Sequence, residues 1–473
     1  MLISNRFKID LYLNNVFYAV LLLILVVLPF MGNSQQKFSL EEAVQKAQKS
    51  NGKLNLQKLD AIDAEHQLKE YYAIGMPKLT GGVGYNYFLD IPTSILPDFI
   101  SPSIYGILIK ENLIPSKPID FGSGVPVQFG TKNNLTAKLD LSALIFDGSF
   151  FVGLKAQQLY RELIRRQYNM SESDVRYQVT KSYLSALVVK EGIQTLDNNI
   201  SNLNKVLKDL SEVYKAGFAE KLDVERLELS LQNLNVEREK FSRIIEITEN
   251  VLKFHLNIPV SEKIELTQKL NDILNVSYLE VMDPSISLKK ENRPEYSVME
   301  QGKKLAEINI KRYKVSYLPS VFGFASYQQA LQRNKLFDKN DNDWFPTSLV
   351  GLNMSVPIFD GFDRKSKIGR AKVTLDKTNL QIDEFEKGIQ LEFANAKSTY
   401  LNALNTLETR KKSLSLAEKI YETSKVKFKE GIGSSLEITT AERDLYTSQA
   451  NLLDAQYNLI VAKVELDKAL GKI

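Results

Sequence analysis

A mostly α-helical chain with a smaller β part is predicted, made of long antiparallel coiled-coil helices and four β-strands. Three observations predict it: an internal duplication, two very long proline-free stretches of heptad character, and alternating segments placed before each of those stretches. The duplication comes first, because repeats decide how a chain is parsed. Ile145-Phe146-Asp147-Gly148 is followed by Val213-Tyr214-Lys215-Ala216-Gly217 and then Leu222-Asp223-Val224. Ile358-Phe359-Asp360-Gly361 is followed by Lys427-Phe428-Lys429-Glu430-Gly431 and then Leu436-Glu437-Ile438. The offsets are 213 and 214 residues, about half of the 473-residue chain, so the period fits a duplicated fold and not a solenoid.

Between these landmarks lies a helix. No proline occurs from Val127 to Ile258, and none after Pro357, which removes the strongest helix breaker. Ile193, Leu196, Ile200, Leu203, Leu207, Leu210 and Tyr214 follow one another at steps of three and four, a coiled-coil seam. A helix from about Ser149 to Ala216 spans roughly 100 Å at 1.5 Å per residue. Gly217 turns the chain, and a return helix from about Leu222 to Leu256 carries Leu227, Leu231, Leu234, Phe241 and Ile245 on its seam. The second copy turns at Gly431 and returns with Leu445, Leu452 and Leu459 at seven-residue spacing.

Composition bounds the function class. The chain is 44% hydrophobic and 25% charged with net charge +4, too balanced for a nucleic-acid partner. There is no cysteine, so disulfides and a lipidated N-terminal cysteine are excluded. Residues 1–34 read as a secretory signal peptide: Arg6 and Lys8 precede an apolar run from Val16 to Met31, and Gly32 and Ser34 suit a cut before Gln35.

The segments after it read in order as follows. Residues 35–78 are helical, opened by the capping box Ser39-Leu40-Glu41-Glu42, broken near Asn51-Gly52 and stopped by Gly75 and Pro77. Residues 79–147 hold the first strand pair. Gly81 to Phe88 is one strand. Asn134 to Phe146 is the other, with Leu135, Ala137, Leu139, Leu141 and Ala143 alternating against polar residues. That alternation suits either a half-buried soluble sheet or a barrel wall with lipid outside and water inside. Leu89 to Thr131, with six prolines, is a long connection without evident structure. Residues 148–257 are the first long helix, tip turn and return helix, and 258–292 an irregular linker. Residues 293–318 are a helix opened at Arg293-Pro294-Glu295, with Pro319 after it. Residues 319–360 hold the second strand pair, Val321–Tyr327 and Leu349–Phe359, and 361–473 the second long helix, tip turn and return helix.

If such strands span a membrane, four cannot close a barrel, and an open edge is not tolerated in lipid. Several copies must then pool them, since about eight strands is the smallest common barrel.

This order of landmarks resembles the TolC-like outer membrane efflux proteins. The likeness covers nearly all of the chain after the signal. It rests on Ile145–Gly148 and Ile358–Gly361 at the strand-to-helix steps, on Pro77 and Pro319 at the helix-to-strand steps, and on Tyr214-x-x-Gly217 with its twin Phe428-x-x-Gly431. The resemblance implies a homotrimer whose chains make a 12-stranded β-barrel in the outer membrane and an α-barrel in the periplasm. It implies a passive exit duct in contact with outer membrane lipid, partnered by a periplasmic adaptor (membrane fusion) protein and an inner-membrane transporter, for efflux or type I secretion. It implies a periplasmic gate at Asp223, Phe428, Glu437 and Thr440, with three copies of Glu437 forming a negative ring that favours cations. Adaptor contact falls at Gly217, Phe218, Gly431, Ile432 and Gly433, and Asp147, Gly148, Asp360 and Gly361 make the strand-to-helix turns. The familiar tyrosine of the latch is Phe428 here, and a familiar arginine is Gly433, so a latch of the usual kind is not expected. Asp223 and Glu437 also suit a plain helix N-terminal role.

Catalytic and cofactor signals are absent from the pattern. His66 and His255 lie far apart, Ser424-x-x-Lys427 sits mid-seam, and Asp338, Asp341 and Asp343 lack the rest of an EF-hand. No enzyme activity, cofactor or metal is expected. The alternative to a duct is an extracytoplasmic coiled-coil scaffold without a pore.

Overall fold

The computed structural model describes residues 36–98, 100–116, 118, 124–270, 272–273, 288–335, 337 and 343–473. The signal stretch 1–34, Asp338 and Asp341 lie outside the described residues. In chain order the elements are β1 Gln36–Phe38, α1 Leu40–Ser50, α2 Gly52–Ile74, β2 Lys78–Tyr87, β3 Thr93–Leu96, α3 Ile100–Lys110, β4 Val125–Gln128, β5 Asn133–Phe146, α4 Gly148–Lys215, α5 Lys221–Leu256, β6 Ile264–Leu266, α6 Pro294–Val315, β7 Ser320–Arg333, β8 Phe345–Ser355, α7 Asp363–Lys429 and α8 Ser435–Ala469. They fall into two compact units, one of residues 65–160 and 304–375, the other of 1–64, 161–303 and 376–473.

The first unit holds the sheet. Its order is β2-β5-β7-β8, antiparallel throughout, which leaves β2 and β8 as edges. Residues directly paired across antiparallel strands share a face, so the register tests the alternation. Leu79 pairs with Leu141, Leu141 with Ala325 and Ala325 with Val350. The row that starts at Val83 continues through Ala137 to Gln329, and Gly323 joins Ala143 to Leu352. One face of the sheet is therefore largely apolar, and it is open: Val83, Leu139, Val350 and Leu352 are 80%, 51%, 80% and 73% exposed. The opposite face is largely polar. There Ser326 donates to Asp140 at 2.6 Å, and Lys138 lies 3.0 Å from the same carboxylate.

Three expectations for this unit are corrected. β7 runs 14 residues to Arg333, six beyond the expected end. β8 covers Phe345–Ser355 instead of Leu349–Phe359. Val356 precedes Pro357, and Pro357 has no N–H to extend a ladder, so pairing stops before it. Pro346 is accepted because β8 is an edge strand. The connection after β2 is not structureless. It carries α3 and the β3–β4 hairpin, paired Thr93↔Gln128 to Leu96↔Val125.

The second unit is helical. α4 and α7 have 68 and 67 residues, about 100 Å each at 1.5 Å per residue. Both begin in the first unit and continue into the second after Tyr160 and Leu375. The expected seams are the buried ones: Leu203, Leu210, Leu227 and Leu234 form one cluster, with Leu196, Ile200, Leu207 and Leu231 packed on it. A larger core gathers Tyr183, Leu187, Leu252, Leu256, Tyr400, Leu407 and Leu459. The buried Tyr183 donates its hydroxyl to the carbonyl of Phe38 at 3.0 Å, which satisfies the phenol. The 258–292 linker is not wholly irregular: β6 pairs in parallel with β1, Gln36↔Ile264 to Phe38↔Leu266. Ser39 forms the capping box with Glu42.

Candidate functional site: the helical tips

The two hairpin tips repeat one geometry. At the first, Gly217 has φ +82°, its N–H donates to Tyr214, and Phe218 donates to Val213 at 3.1 Å. At the second, Gly431 has φ +74°, its N–H donates to Phe428, and Ile432 donates to Lys427 at 3.0 Å. Both are helix C-terminal turns that need a left-handed residue, and glycine takes that conformation without strain. Each turn presents one apolar side chain to solvent, Phe218 at 86% and Ile432 at 79% exposure. Gly433 has a steric reason: a Cβ there would stand 3.0 Å from the Lys427 Cβ and from the Phe428 N.

The tips are joined by polar contacts between α5 and α8. Ser435 is buried, donates its hydroxyl to the Asp223 carboxylate, and accepts from Arg226 Nη1 at 3.2 Å. Ser434 caps α8 by accepting from the Glu437 N–H, and the Glu437 carboxylate pairs with Lys427 at 3.1 Å. Phe428 is half-buried and packs on the apolar clusters of both hairpins. Thr440 stands exposed. The structure thus joins Asp223 to the second hairpin, seats Phe428 between the hairpins and gives Glu437 a cationic partner. It leaves Thr440 outside these contacts.

Ser435, Lys427 and Arg226 complete this arrangement. Their partners are far off in sequence or across a turn, so the pairings are not visible in the sequence.

Deeper along the same helices, Glu442 is 2% exposed. Tyr446 donates to its Oε1 at 2.7 Å, while Oε2 has no partner among the described residues. Burial pushes the Glu442 carboxyl above its usual range and, with Glu442 nearby, pushes the Tyr421 phenol up to about 12. One sequence signal was available: Glu442 lies four residues after Ile438 and three before Leu445, an acid in an apolar seam. Asn199 is a similar case, buried in the α4 seam and donating to Gln449 of α8 at 2.7 Å.

The raised Glu442 pKa fixes a sign. Below the ordinary 4.5 the acid is protonated whether folded or unfolded and costs nothing. As pH rises toward and through the folded value, the charged form is disfavoured only in the fold, so stability falls. Glu442→Gln should therefore match wild type near pH 4 and unfold on the order of 2 °C higher at pH 8 by calorimetry. A constant gap at all pH values would show that Glu442 does not titrate this way.

The strand-to-helix turns are capped by their aspartates. Asp147 accepts from the N–H groups of Ser149 and Phe150 at 2.7 and 3.0 Å. Asp360 accepts from Phe362 at 3.1 Å and from Arg364 N and Nη1 at 3.0 Å each. The two turns are not equivalent: Gly148 opens α4, whereas Gly361 and Phe362 both have positive φ, +63° and +68°.

Residues 285–472 match the family model of outer membrane efflux proteins. Over those residues the chain resembles the outer membrane efflux proteins. It is 27% identical over 272 residues to a solvent efflux pump outer membrane protein, SrpC of Pseudomonas putida, covering 54% of this chain and 53% of that one. The chain thus spans about half the length of the first curated relatives of this family that it matches. With a probable outer membrane lipoprotein of Salmonella typhimurium, SilC, it shares 22% identity over 75% of this chain and 76% of the relative. The fold matches the crystal structures of CusC (TM-score 0.71, 15% identity, 91% of both chains) and of VceC from Vibrio cholerae (0.67, 14%, 91% and 96%). These likenesses agree with a four-stranded sheet and long helical hairpins, and with a place in the outer membrane.

Proposed function

We propose that three copies of this chain form a passive outer membrane exit duct for an efflux or type I secretion assembly. An inner-membrane transporter and a periplasmic adaptor open the duct at the helical tips. One observation carries the reading: a four-stranded sheet with an apolar and a polar face ends in two unpaired edges, β2 and β8. In lipid those edges need partners, and edge-to-edge joining of copies supplies them with the apolar face outward. Three copies give twelve strands, a barrel wide enough to leave a lumen. The exposed Phe218 and Ile432 offer an adaptor two apolar contacts per chain.

The gate follows from the tip contacts. Asp223, Ser435 and Arg226 hold the two hairpins of a chain together, and opening requires them to separate. Glu437 contributes its charge to the pore mouth together with Lys427, so the ring is weaker than three isolated acids would make it. Single-channel recording in planar bilayers tests this. Wild type should give a small conductance, and Ser435→Ala should raise the conductance or open probability about two- to five-fold, as expected for losing roughly 1 kcal/mol of hydrogen bonding. Glu437→Ala should reduce cation preference only modestly. Equal traces from wild type and Ser435→Ala would remove these contacts from the gate. A monomeric protein that needs no detergent would remove the duct.

A further inference from the structure

A basic cleft of about 380 Å³ lies within the strand-bearing unit, between α6 and α7. Asn309, Arg312 and Tyr313 line it from α6, and Lys367, Arg370 and Thr374 from α7. Lys367 is paired with Asp363 at 2.6 Å. Arg312 and Arg370 are exposed, and neither forms an ion pair among the described residues. The Arg312 guanidinium instead lies 5.8 Å from the centroid of the Tyr313 ring. The surrounding chain is strongly cationic: residues 304–318 and 360–375 hold nine lysines and arginines against three acids.

The cleft's place along the chain says what it meets. α6 ends at Val315, three residues after Arg312, and β7 begins at Ser320. β8 ends at Ser355, and α7 begins at Asp363, one and two turns before Lys367 and Arg370. Both connections carry exposed aromatic side chains: Tyr317 in one, Phe359 and Phe362 in the other. Going from strand to helix, each connection passes from apolar band to aromatic residues to cations, of which Arg364 and Lys367 are ion-paired, whereas Arg312 and Arg370 form no ion pair among the described residues. Aromatic side chains mark a membrane–water interface, and arginines just beyond it meet lipid headgroups. A guanidinium pairs with phosphate through two parallel hydrogen bonds, and the cleft offers two guanidinium groups without a competing acid.

We propose that the Arg312–Arg370 cleft binds the phosphate headgroup of an anionic phospholipid, in the leaflet that faces the helices. The proposal rests on the apolar sheet face lying in the membrane. The bound lipid anchors each chain at the level of the strand-to-helix turns, where two helices and two strands meet.

Native mass spectrometry of the full chain, released from nanodiscs of equimolar phosphatidylglycerol and phosphatidylcholine, tests it. Wild type should retain phosphatidylglycerol about five-fold or more over phosphatidylcholine. The Arg312→Gln, Arg370→Gln double variant should retain the two equally while remaining an oligomer. Inorganic phosphate should not displace the lipid. Equal retention by wild type, which needs no variant to fold, would overturn the proposal. So would displacement by inorganic phosphate, which would make the cleft a free-anion site, and so would a double variant that falls to monomers, which would assign the arginines to a contact between copies. A wild-type chain that does not enter nanodiscs would instead sink the membrane reading beneath it.

Discussion

Leu139→Arg should abolish recovery of the protein from the outer membrane, whereas Thr136→Arg should leave most of it in place. Leu139 is mid-strand in β5 and pairs with Gly81 and Tyr327, on the face that also carries Leu141, Val350 and Leu352. Thr136, three residues away, points to the other face beside Gly84 and Ala330. An arginine on the lipid face of a barrel costs about 2–4 kcal/mol near the midplane, and a lumen-facing one tunes selectivity instead. In the proposed trimer three copies carry the change together. Quantifying folded, heat-modifiable protein in outer membrane fractions checks both variants. The discriminating feature is the asymmetry. A soluble scaffold already exposes Leu139 to water at 51%, and would tolerate either arginine. Equal recovery of the two variants would therefore favour the scaffold.

The helical part of this fold was legible because its signals are local. Gly217 and Gly431 end helices, Ser39 and Glu42 begin one, and an apolar seam repeats every three or four residues, so predicted and observed limits of α4 and α5 differ by one residue. Strand limits were less legible. The alternation of Val350, Leu352 and Met354 continues through Val356 and Ile358 in sequence, but Pro357 ends the hydrogen-bonded ladder before it. β1 and β6 have three residues each, too few to show any period, and their pairing joins residues 228 apart. The same distance in sequence hid the tip contacts. Asp223 was a candidate from its place after Gly217, but Ser435, its partner 212 residues on, has meaning only once the hairpins lie together. The equivalence expected of the two Asp-Gly turns failed at Phe362, whose positive φ has no marker in a single sequence. The long connection after β2 was misjudged because prolines predict turns well and the short elements between them poorly.

Arg293 shows what such reading overlooks, and its replacement has the largest expected effect on the helical unit. The sequence marks it only as the residue before Pro294, at the start of a helix. Its side chain is 4% exposed. Its guanidinium donates to both oxygens of Glu295 at 3.1 Å, to Glu392 of α7 at 3.1 Å and to the carbonyl of Ala469, the last residue of α8, at 3.3 Å. One charge thus ties the start of α6 to α7 and to the end of α8. Arg293→Ala removes the donors and leaves the acids and a terminal carbonyl without them. Breaking a buried pair from one side costs about 3–5 kcal/mol, and the lower end applies because Glu392 keeps access to water. Burial pushes the Glu295 carboxyl up, yet the hydrogen bonds from Arg293 and their charge hold it below the usual range. A depressed carboxylate adds stability above its ordinary 4.5 that is lost as pH falls through the folded value. Without Arg293, burial, the largest influence, is opposed only by the backbone N–H of Glu295 and the charge of Lys468, and Glu295 becomes a cost that grows with pH. Urea unfolding of the two proteins should therefore differ least near pH 4 and by about 3 kcal/mol at pH 7. An Arg293→Ala, Glu295→Gln double variant should recover part of that loss at pH 7 and little at pH 4, because it removes the acid that burial penalises. A loss that stays constant with pH and is not reduced by Glu295→Gln would assign Arg293 to packing by its aliphatic stem instead of to its charge.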